Sequence, residues 1–339
     1  MANSKNFKLN DVVETIKSAS KAKHKKCEIY SHKRLPDSPD KYHLQGIIEY
    51  RDYTILSHSG YKHGDSKRGF CIVGDKRGSH KESQHNISTW KYYQDLGALN
   101  EYNQNIFSTH EHPGSMQKIG DYAVCAFESH KNKTNGKRNR TIAIFGLATM
   151  NLQNLIPEFC KEVILPNQFT DGAGATGIAD FLDADGVNRY ALVAQANHSA
   201  DFYVAKGDDL LAAVANGFEH KFSHDFGKDM DYENSVILCD TNNKLYFVGM
   251  RSTYNYSDYI DIYQISFEKE TLETNKSWNN IDFSCTDTNG AVAFAAPHFR
   301  WGATIDVLSS EKVKVIMCER DYSDSVGKEK ELSYRTWEN

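Results

Sequence analysis

The sequence predicts an all-β fold, because its composition favours strands and a strand–turn–strand pattern recurs along the chain. The 339 residues include 19 tyrosines and 17 phenylalanines but only 6 prolines, a balance typical of β-rich proteins. Closed all-β folds often exceed the size of an average domain, so this length is compatible with one domain. The net charge of −5 lacks the basic excess of nucleic-acid-binding proteins, so we expect no nucleic-acid partner.

Five segments share one pattern, in which an apolar run ends in a polar or aromatic turn and a second strand-like run follows. These segments are residues 53–58, 122–130, 190–198, 246–254 and 290–298. Each is separated from a shorter apolar run upstream by a turn-forming pair: Arg51-Asp52, Gly120-Asp121, Asp185-Gly186, Asn242-Asn243 and Asn289-Gly290. The pattern predicts three consecutive antiparallel strands in each repeat, and residues 314–318 indicate a fourth strand in the last one.

The repeats recur at intervals of 72, 68, 56 and 44 residues, measured between His58, His130, His198, Tyr254 and His298. Repeated antiparallel sheets at this spacing are typical of propeller blades with long insertions. We therefore predict a five-bladed β-propeller over residues 40–322, with a six-bladed ring or a pair of β-sandwiches as alternatives. Residues 1–39 are expected to form a helical, basic extension. Residues 323–339 are expected to form a C-terminal tail that either packs on the propeller or is flexible.

The N-terminal extension carries a helical pattern. Leu9, Val12, Val13 and Ile16 follow helical spacing, and Asp11 stands where it can cap the first turn. The lysines that follow are expected to form the solvated end of this helix, where positive charge suits the helix dipole. A basic arm for an anionic partner is the alternative.

The chain resembles the broad five-bladed β-propeller superfamily. The segments that begin the first two blades, 43–46 and 112–117, carry the likeness, together with the apolar pair 281–285 and 291–296. The resemblance implies an architecture and no particular activity. Five-bladed glycosidases place acidic residues at the starts of their innermost strands. The matching positions here are His43, His112, Ala175, Ser235 and Ile281, which argues against a glycosidase of that type.

The cysteines and the apolar runs bear on localisation. Seven widely spaced cysteines include no CxxC pair, which favours free thiols in a reducing compartment. We find no apolar leader and no apolar run of membrane-spanning length. We therefore expect a cytoplasmic protein without membrane association.

In a propeller, the loops that lead into the innermost strands and the loops that follow the second strands meet at one end of the channel, here called the top face. The residues expected to end the second strands are His58, His130, His198, Tyr254 and His298. Those expected at the openings of the innermost strands include His43, Gln45, His112, Gln117 and Glu233. Imidazoles titrate near neutral pH, so the four second-strand histidines are candidate general acids and bases, and the other residues are candidate ligand contacts. Alternatively, the blades repeat their turn residues for structural reasons.

The segment 297–302 contains the densest group of candidate binding residues. Arg300 and Trp301 beside His298 can grip an anion and stack on a flat ring, and Arg251 is expected at the matching turn of the fourth blade. Two converging arginines predict a carboxylate or phosphate site. Alternatively, Trp301 fills the gap between two blades with Arg300 lying across it.

The pair His110 and His112 raises the question of a metal. Two histidines one residue apart on an extended chain point to the same side, and His58, His130 or His198 could add further ligands. The sequence requires no cofactor, but a transition metal is compatible with this pair. The two imidazoles could instead contact a substrate.

These features favour an enzyme that acts on a small polar or anionic molecule at the top face. The residues do not distinguish a hydrolase from a lyase or an isomerase. The alternatives are a lectin-like carbohydrate- or peptide-binding module and a scaffold for protein partners. The loops differ strongly between repeats, which argues for one composite site over five equal ones.

Overall fold

Antiparallel sheets follow one another along the chain in the structure, a computed structural model. It describes residues 7–31, 43–63, 66–77, 84–96, 107, 110–129, 140–151, 154–165, 174–196, 198–228, 230–253, 257–284, 297–320, 323–324 and 330–339. The chain begins with helix α1 (Val12–Ser20) and strand β1 (Lys25–Ser31). The predicted stripe of Leu9, Val12 and Ile16 is buried, and the Asp11 carboxylate accepts the Glu14 N–H at 2.9 Å, so the predicted helix and its cap are confirmed.

Four blades follow in chain order. The first contains β2 (Leu44–Tyr50), β3 (Tyr53–His63), β4 (Ser66–Asp75) and β5 (Gln84–Tyr92). The second contains β6 (His110–Ile119), β7 (Tyr122–Ser129), β8 (Arg140–Gly146) and β9 (Glu158–Val163). The third contains β10 (Ala175–Leu182), β11 (Asn188–Ala196), β12 (Ser199–Lys206) and β13 (Glu219–Asp225). The fourth contains β14 (Asn234–Cys239), β15 (Leu245–Ser252), β16 (Asp258–Ser266), β17 (Thr271–Glu273) and β18 (Ile281–Asp282). Helix α2 (Leu210–Asn216) and two 3₁₀ helices, Tyr93–Leu96 and Lys276–Trp278, lie outside the sheets.

Both ends of the chain build the fifth blade. Its strands are β19 (Ala303–Ser309), β20 (Lys312–Cys318), β21 (Ser323–Asp324), β22 (Lys330–Glu338) and the N-terminal β1. Strand β1 pairs antiparallel with β22 and parallel with β5, which joins the first and last blades into one sheet. The chain is therefore a five-bladed β-propeller. The sequence predicts residues 1–39 and 323–339 outside the propeller, whereas the structure pairs strands from both segments. Among the described side chains of β1, the buried apolar ones are Cys27 and Ile29, which follow Lys25 and Lys26, so the apolar pattern of this strand is short.

The assignment of strands in the last blade is a correction to the sequence prediction. From the sequence, residues 281–285 and 291–296 are expected as its first two strands. In the structure β18 pairs with β16 of the fourth blade, and β19 is the innermost strand of the fifth. Residues 291–296 lie outside the described residues. The prediction is wrong because it takes all strands of the last blade from the C-terminal part of the chain. In the structure one of them, β1, comes from the N terminus.

The predicted hairpin turns occur at four of the five sites. Arg51, Gly120, Gly186 and Asn243 have positive φ angles of 52°, 56°, 72° and 60°, as tight hairpin turns require. The fifth pair, at 289–290, lies outside the described residues. These turns fix the register of the two inner strands next to the turn in each of the first four blades, and bulges shift it near the top in the first and second blades.

The innermost strands approach one another closely around the channel. A Cβ on Gly114 would lie 2.0 Å from the Gly174 carbonyl oxygen, which itself accepts the Ser115 N–H at 3.0 Å. The innermost strand of a blade has an unpaired edge, whose N–H and C=O groups need other partners. Gln117 supplies them, because its Oε1 accepts the N–H groups of Ile178 and Ile237 and its Nε2 donates to the Ile237 carbonyl.

A buried charge network joins the first and fifth blades. Glu49 on β2 lies 2.9 Å from Lys76 Nζ and 3.0 Å from Lys314 Nζ on β20, and it accepts the Tyr334 hydroxyl of β22 at 3.0 Å. Burial raises the pKa of Glu49, but the charges of Lys76 and Lys314 lower it by more, so the pKa is about 2. Lys118 of the second blade reaches Asp306 of the fifth at 3.1 Å. Ionic contacts thus add to strand pairing at the closure of the ring.

Two expectations from the sequence concerned free cysteine thiols and membrane-spanning segments. No disulfide links the six described cysteines, and five of them are buried, as expected for free thiols. Within the described ranges, neither helix combines the length and apolar character that a membrane-spanning helix needs.

Candidate functional site

The top face is set by strand register. Leu44, at the start of the innermost strand β2, pairs with His58 on the second strand, and His112 of β6 pairs with Glu128 of β7. The same relation in the fourth blade pairs Asn234 with Met250. The openings of the innermost strands and the far ends of the second strands therefore lie at one end of the channel.

Two histidines from neighbouring blades meet through an amide at this face. The Gln45 amide nitrogen contacts Nε2 of His43 and lies 3.2 Å from Nε2 of His112. Nδ1 of His112 lies 3.0 Å from Oε1 of Glu128. An amide nitrogen only donates, so this arrangement assigns Nε2 of both rings as acceptors. In neutral His112 the Gln45 contact therefore leaves the proton on Nδ1, which lies near the Glu128 carboxylate but forms no hydrogen bond with it.

The ring of Trp301 contacts the side chains of two arginines, Arg300 and Arg320. Its indole ring is 4% exposed, and the guanidinium carbons of Arg300 and Arg320 lie 5.2 and 5.5 Å from its ring centroid. His43 meets the same ring edge-on at 5.1 Å between centroids. Because the indole is buried beneath these groups, it supports the two arginines by cation–π contact and is not an open stacking surface.

The carboxyl group of Glu233 faces Arg300. Oε1 of Glu233 lies 3.9 Å from Nε of Arg300. Burial, and then the charge of Asp231, raises the pKa of Glu233 to about 7, although Arg300 and His112 act in the opposite direction. Burial and then the charge of His112 lower the pKa of His43 to about 3, so His43 is neutral at physiological pH. Glu233 is therefore poised to exchange a proton near neutrality, and His43 is not.

His298 lies beneath the surface and holds the Arg300 segment in place. It is 1% exposed, and its Nδ1 lies 2.8 Å from Oδ2 of Asp258. Oδ1 of Asp258 accepts the Phe299 N–H at 3.0 Å, and the Arg300 N–H donates to the Ser252 hydroxyl at 3.0 Å. The sequence places His298 at the end of a second strand, whereas it precedes the innermost strand β19. Its contacts position the loop.

The other predicted catalytic histidines lie in different settings. His58 is fully buried and stacks on Phe70 at 4.6 Å between centroids. It is nevertheless among the groups that lower the pKa of His43. His198 occupies the turn between β11 and β12 of the third blade. His130 lies outside the described residues.

Arg251 and Gln117 serve the framework. Arg251 is 9% exposed and donates to Asp261 at 2.7 Å and to Asn280 at 2.6 Å, so it does not join Arg300. Gln117 is occupied by the inner-strand contacts described above. Tyr254 lies outside the described residues.

The predicted metal pair is described only in part, because the side chain of His110 lies outside the described residues. Among the described side chains, no three His, Cys, Asp or Glu residues are grouped as metal ligands. His112 is instead engaged by Glu128 and Gln45.

The structure thus brings together His43, Gln45, His112, Glu233, Arg300 and Trp301, and it adds Glu128 and Arg320. We call these eight residues the top-face cluster. The hairpin turn at 120–121 alone would set residue 129 opposite His112; a bulge between Pro113 and Met116 shifts the register by one residue and brings Glu128 there, so the sequence analysis missed Glu128. Arg320 was not predicted, because the strands of the last blade were misassigned. Arg320 was therefore not recognised as following the second strand of that blade, β20.

A separate cavity of about 310 Å³ opens at the other end of the channel. Its polar lining includes Lys8, Arg51, Lys118, Asp180 and Asp306. Gln117 also lines this cavity, so the cavity lies beyond the middle of β6 and away from the top-face cluster.

No protein-family model matches the chain, and no curated protein matches it in sequence. Among solved structures it is similar to an α-L-arabinofuranosidase from Podospora anserina in complex with cellotriose, at 7% identity and a TM-score of 0.49, covering 92% of this chain and 96% of that one. It is also similar to a GH62 hydrolase in complex with xylotriose, at 8% identity and a TM-score of 0.47, covering 91% and 97%. A third similar structure is a GH43 β-1,3-galactosidase, at 12% identity and a TM-score of 0.41. That alignment covers 86% of this chain and 56% of the galactosidase. These likenesses concern the propeller fold and assign no activity to this chain.

Proposed function

We propose that the top-face cluster binds a small anionic, polar molecule and acts on it by proton transfer. One observation carries the proposal: Arg300 and Arg320 lie around one buried indole, beside a carboxyl group whose pKa is about 7. Groups with perturbed pKa values that gather at a channel mouth are typical of functional sites.

Binding would depend on the two arginines. A guanidinium group can hold a carboxylate or a phosphate through two parallel hydrogen bonds. Trp301 limits the freedom of both side chains, and the Ser252 contact fixes the Arg300 backbone. Since less side-chain entropy is lost when the groups are already held, this arrangement favours anion binding.

Proton transfer would use Glu233 and His112. Glu233 is the acid, because it retains a proton over part of the neutral range. His112 is the base: the Glu128 carboxylate, 3.0 Å from Nδ1, would stabilise the imidazolium that forms when Nε2 takes up a proton, and Nε2 becomes available once a ligand displaces the Gln45 amide. An acid and a base at one site suit hydrolysis, elimination or isomerisation.

Trp301 is not available as a surface on which a sugar could stack. Carbohydrate-binding sites commonly present an exposed aromatic face, and Trp301 is 4% exposed beneath two arginines. The alternatives are a carbohydrate- or peptide-binding module and a scaffold for protein partners.

The test is a ligand screen by NMR with sugar phosphates, uronic acids and matching neutral sugars, followed by assays for turnover of any ligand found. We expect anionic compounds to bind and neutral ones not to. Arg300→Gln and Arg320→Gln should each weaken binding at least tenfold. Arg77→Gln, an exposed arginine bonded to Asp75 in the first blade, is the control and should bind as the wild type does. Equal binding of neutral and anionic sugars, or no effect of the arginine variants, would contradict the proposal.

A further inference from the structure

Glu233 stands where an incoming anion would bind. Its Oε1 lies 3.9 Å from Nε of Arg300, and both side chains are partly exposed, at 36% and 47%. The Arg300 guanidinium cannot easily turn away, because its backbone is bonded to Ser252 and its side chain lies over Trp301. A ligand anion that reaches Arg300 therefore meets the Glu233 carboxylate as a competitor of like charge.

We propose that a small oxyanion displaces the Glu233 carboxylate from Arg300 and that Glu233 takes up a proton from solvent as the anion binds. This inference rests on the proposed anion site and adds the group that regulates it. The step is balanced: the carboxylate gains one proton, no covalent bond of the ligand changes, and the resulting O–H can donate to the ligand. Glu233 thus changes from a competitor of the ligand into a hydrogen-bond donor for it.

The surrounding charges are consistent with this coupling. The negative groups facing Glu233 are Asp231, just before it in sequence, and Glu128 on β7. The positive or protonatable groups are Arg300 and His112. These opposing charges, together with burial, leave the pKa of Glu233 at about 7, so little free energy separates its two protonation states at neutral pH. A bound anion adds a further negative charge and moves the balance toward the protonated form.

The size of the effect follows from linkage. Affinity should be constant below the pKa of the free protein and should fall tenfold per pH unit above it, until the pKa of the complex is reached. With the free value at about 7, and the pKa of the complex above this range, affinity should fall about thirtyfold between pH 6 and pH 8.5.

The experiment uses inorganic sulfate as the probe, because its charge does not change over this range. Sulfate binding to the full-length protein is measured by calorimetry from pH 6 to 8.5, in two buffers of different ionisation enthalpy, which reports protons taken up. We expect the thirtyfold loss of affinity and a proton uptake that rises from about half a proton per sulfate at pH 7 toward one at pH 8.5. Glu233→Gln should bind sulfate at pH 8.5 as tightly as the wild type does at pH 6, with no pH dependence.

The outcomes separate this inference from the proposal beneath it. Imidazole groups also change charge in this range, so a pH dependence that persists in Glu233→Gln would assign the proton to a histidine and overturn the inference. Sulfate binding that is independent of pH in the wild type would also overturn it, while leaving the anion site intact. If Arg300→Gln binds sulfate as the wild type does, the anion site itself is wrong. Thermal unfolding of each variant shows whether it is folded.

Discussion

Replacing Glu49 by Gln tests the ionic closure of the ring. The substitution keeps the shape of the side chain and removes its charge, so Lys76 and Lys314 lose their shared carboxylate across the joint between the first and last blades. Glutamine resembles the protonated form of Glu49. The free-energy difference between the two proteins therefore reports how strongly the fold prefers the ionised form.

The pKa of Glu49 gives the magnitude. It falls from 4.5 to about 2 on folding. Each pKa unit corresponds to about 1.4 kcal/mol, so the variant should lose about 3 kcal/mol of unfolding free energy at pH 7. For a chain of this size that loss lowers Tm by about 4 °C. Because the pKa is lowered in the folded state, the contribution is present above pH 4.5 and disappears as the pH falls toward 2. At pH 3.5 the difference should shrink to about 2 kcal/mol.

Urea unfolding of both proteins at pH 7 and pH 3.5, followed by tryptophan fluorescence, measures this difference. Glu338→Gln is a matched control, because Glu338 lies 4.0 Å from the same Lys314 but is 48% exposed, and it should cost less than about 0.5 kcal/mol. Equal stability of the Glu49 variant and the wild type at pH 7 would contradict the proposed role. So would a difference that does not shrink in acid.

Three further predictions concern the framework. Gln117→Leu should lower the unfolding free energy by about 3 kcal/mol, measured by urea unfolding, because it leaves inner-strand groups unpaired, while sulfate binding at the top face stays unchanged. Asp258→Asn should weaken sulfate binding at least tenfold and cost about 2 kcal/mol of stability, because His298 and the loop that carries Arg300 lose their carboxylate; unchanged affinity in calorimetry would contradict this. Removal of residues 1–31 should abolish cooperative thermal unfolding, because the fifth blade loses its outer strand; a wild-type Tm in calorimetry would show that β1 is dispensable.

The fold was largely predictable because local signals repeat. Gly120 and Gly186 mark hairpin turns whose chemistry depends on neighbouring residues only, and these turns set the strand order of the second and third blades. The last blade was misassigned because its outer strand comes from the other end of the chain. Local patterns contain no information about a partner some 300 residues away, such as Tyr334 opposite Cys27.

Residues of the site could be predicted only in blades whose strand register could be read from the sequence. His43, Gln45 and His112 follow from the openings of the first two blades, whose turns are clear. The role of His298 could not be read from sequence, because it depends on Asp258, 40 residues upstream in another blade. A buried histidine bonded to a carboxylate and an exposed catalytic one look alike in sequence. Burial and partners distinguish them, and both arise from tertiary packing.

The pairing of β1 with β22 has a consequence for biosynthesis. Cys27 leaves the ribosome 307 residues before its partner Tyr334. At usual elongation rates of about 5–20 residues per second, this strand waits roughly 15 to 60 s without its neighbour. During that interval Lys25 and Lys26 keep a bare strand edge charged, which discourages pairing with another nascent chain. The lysines that obscure the strand in the sequence therefore suit a segment that must stay soluble until the final blade has been translated.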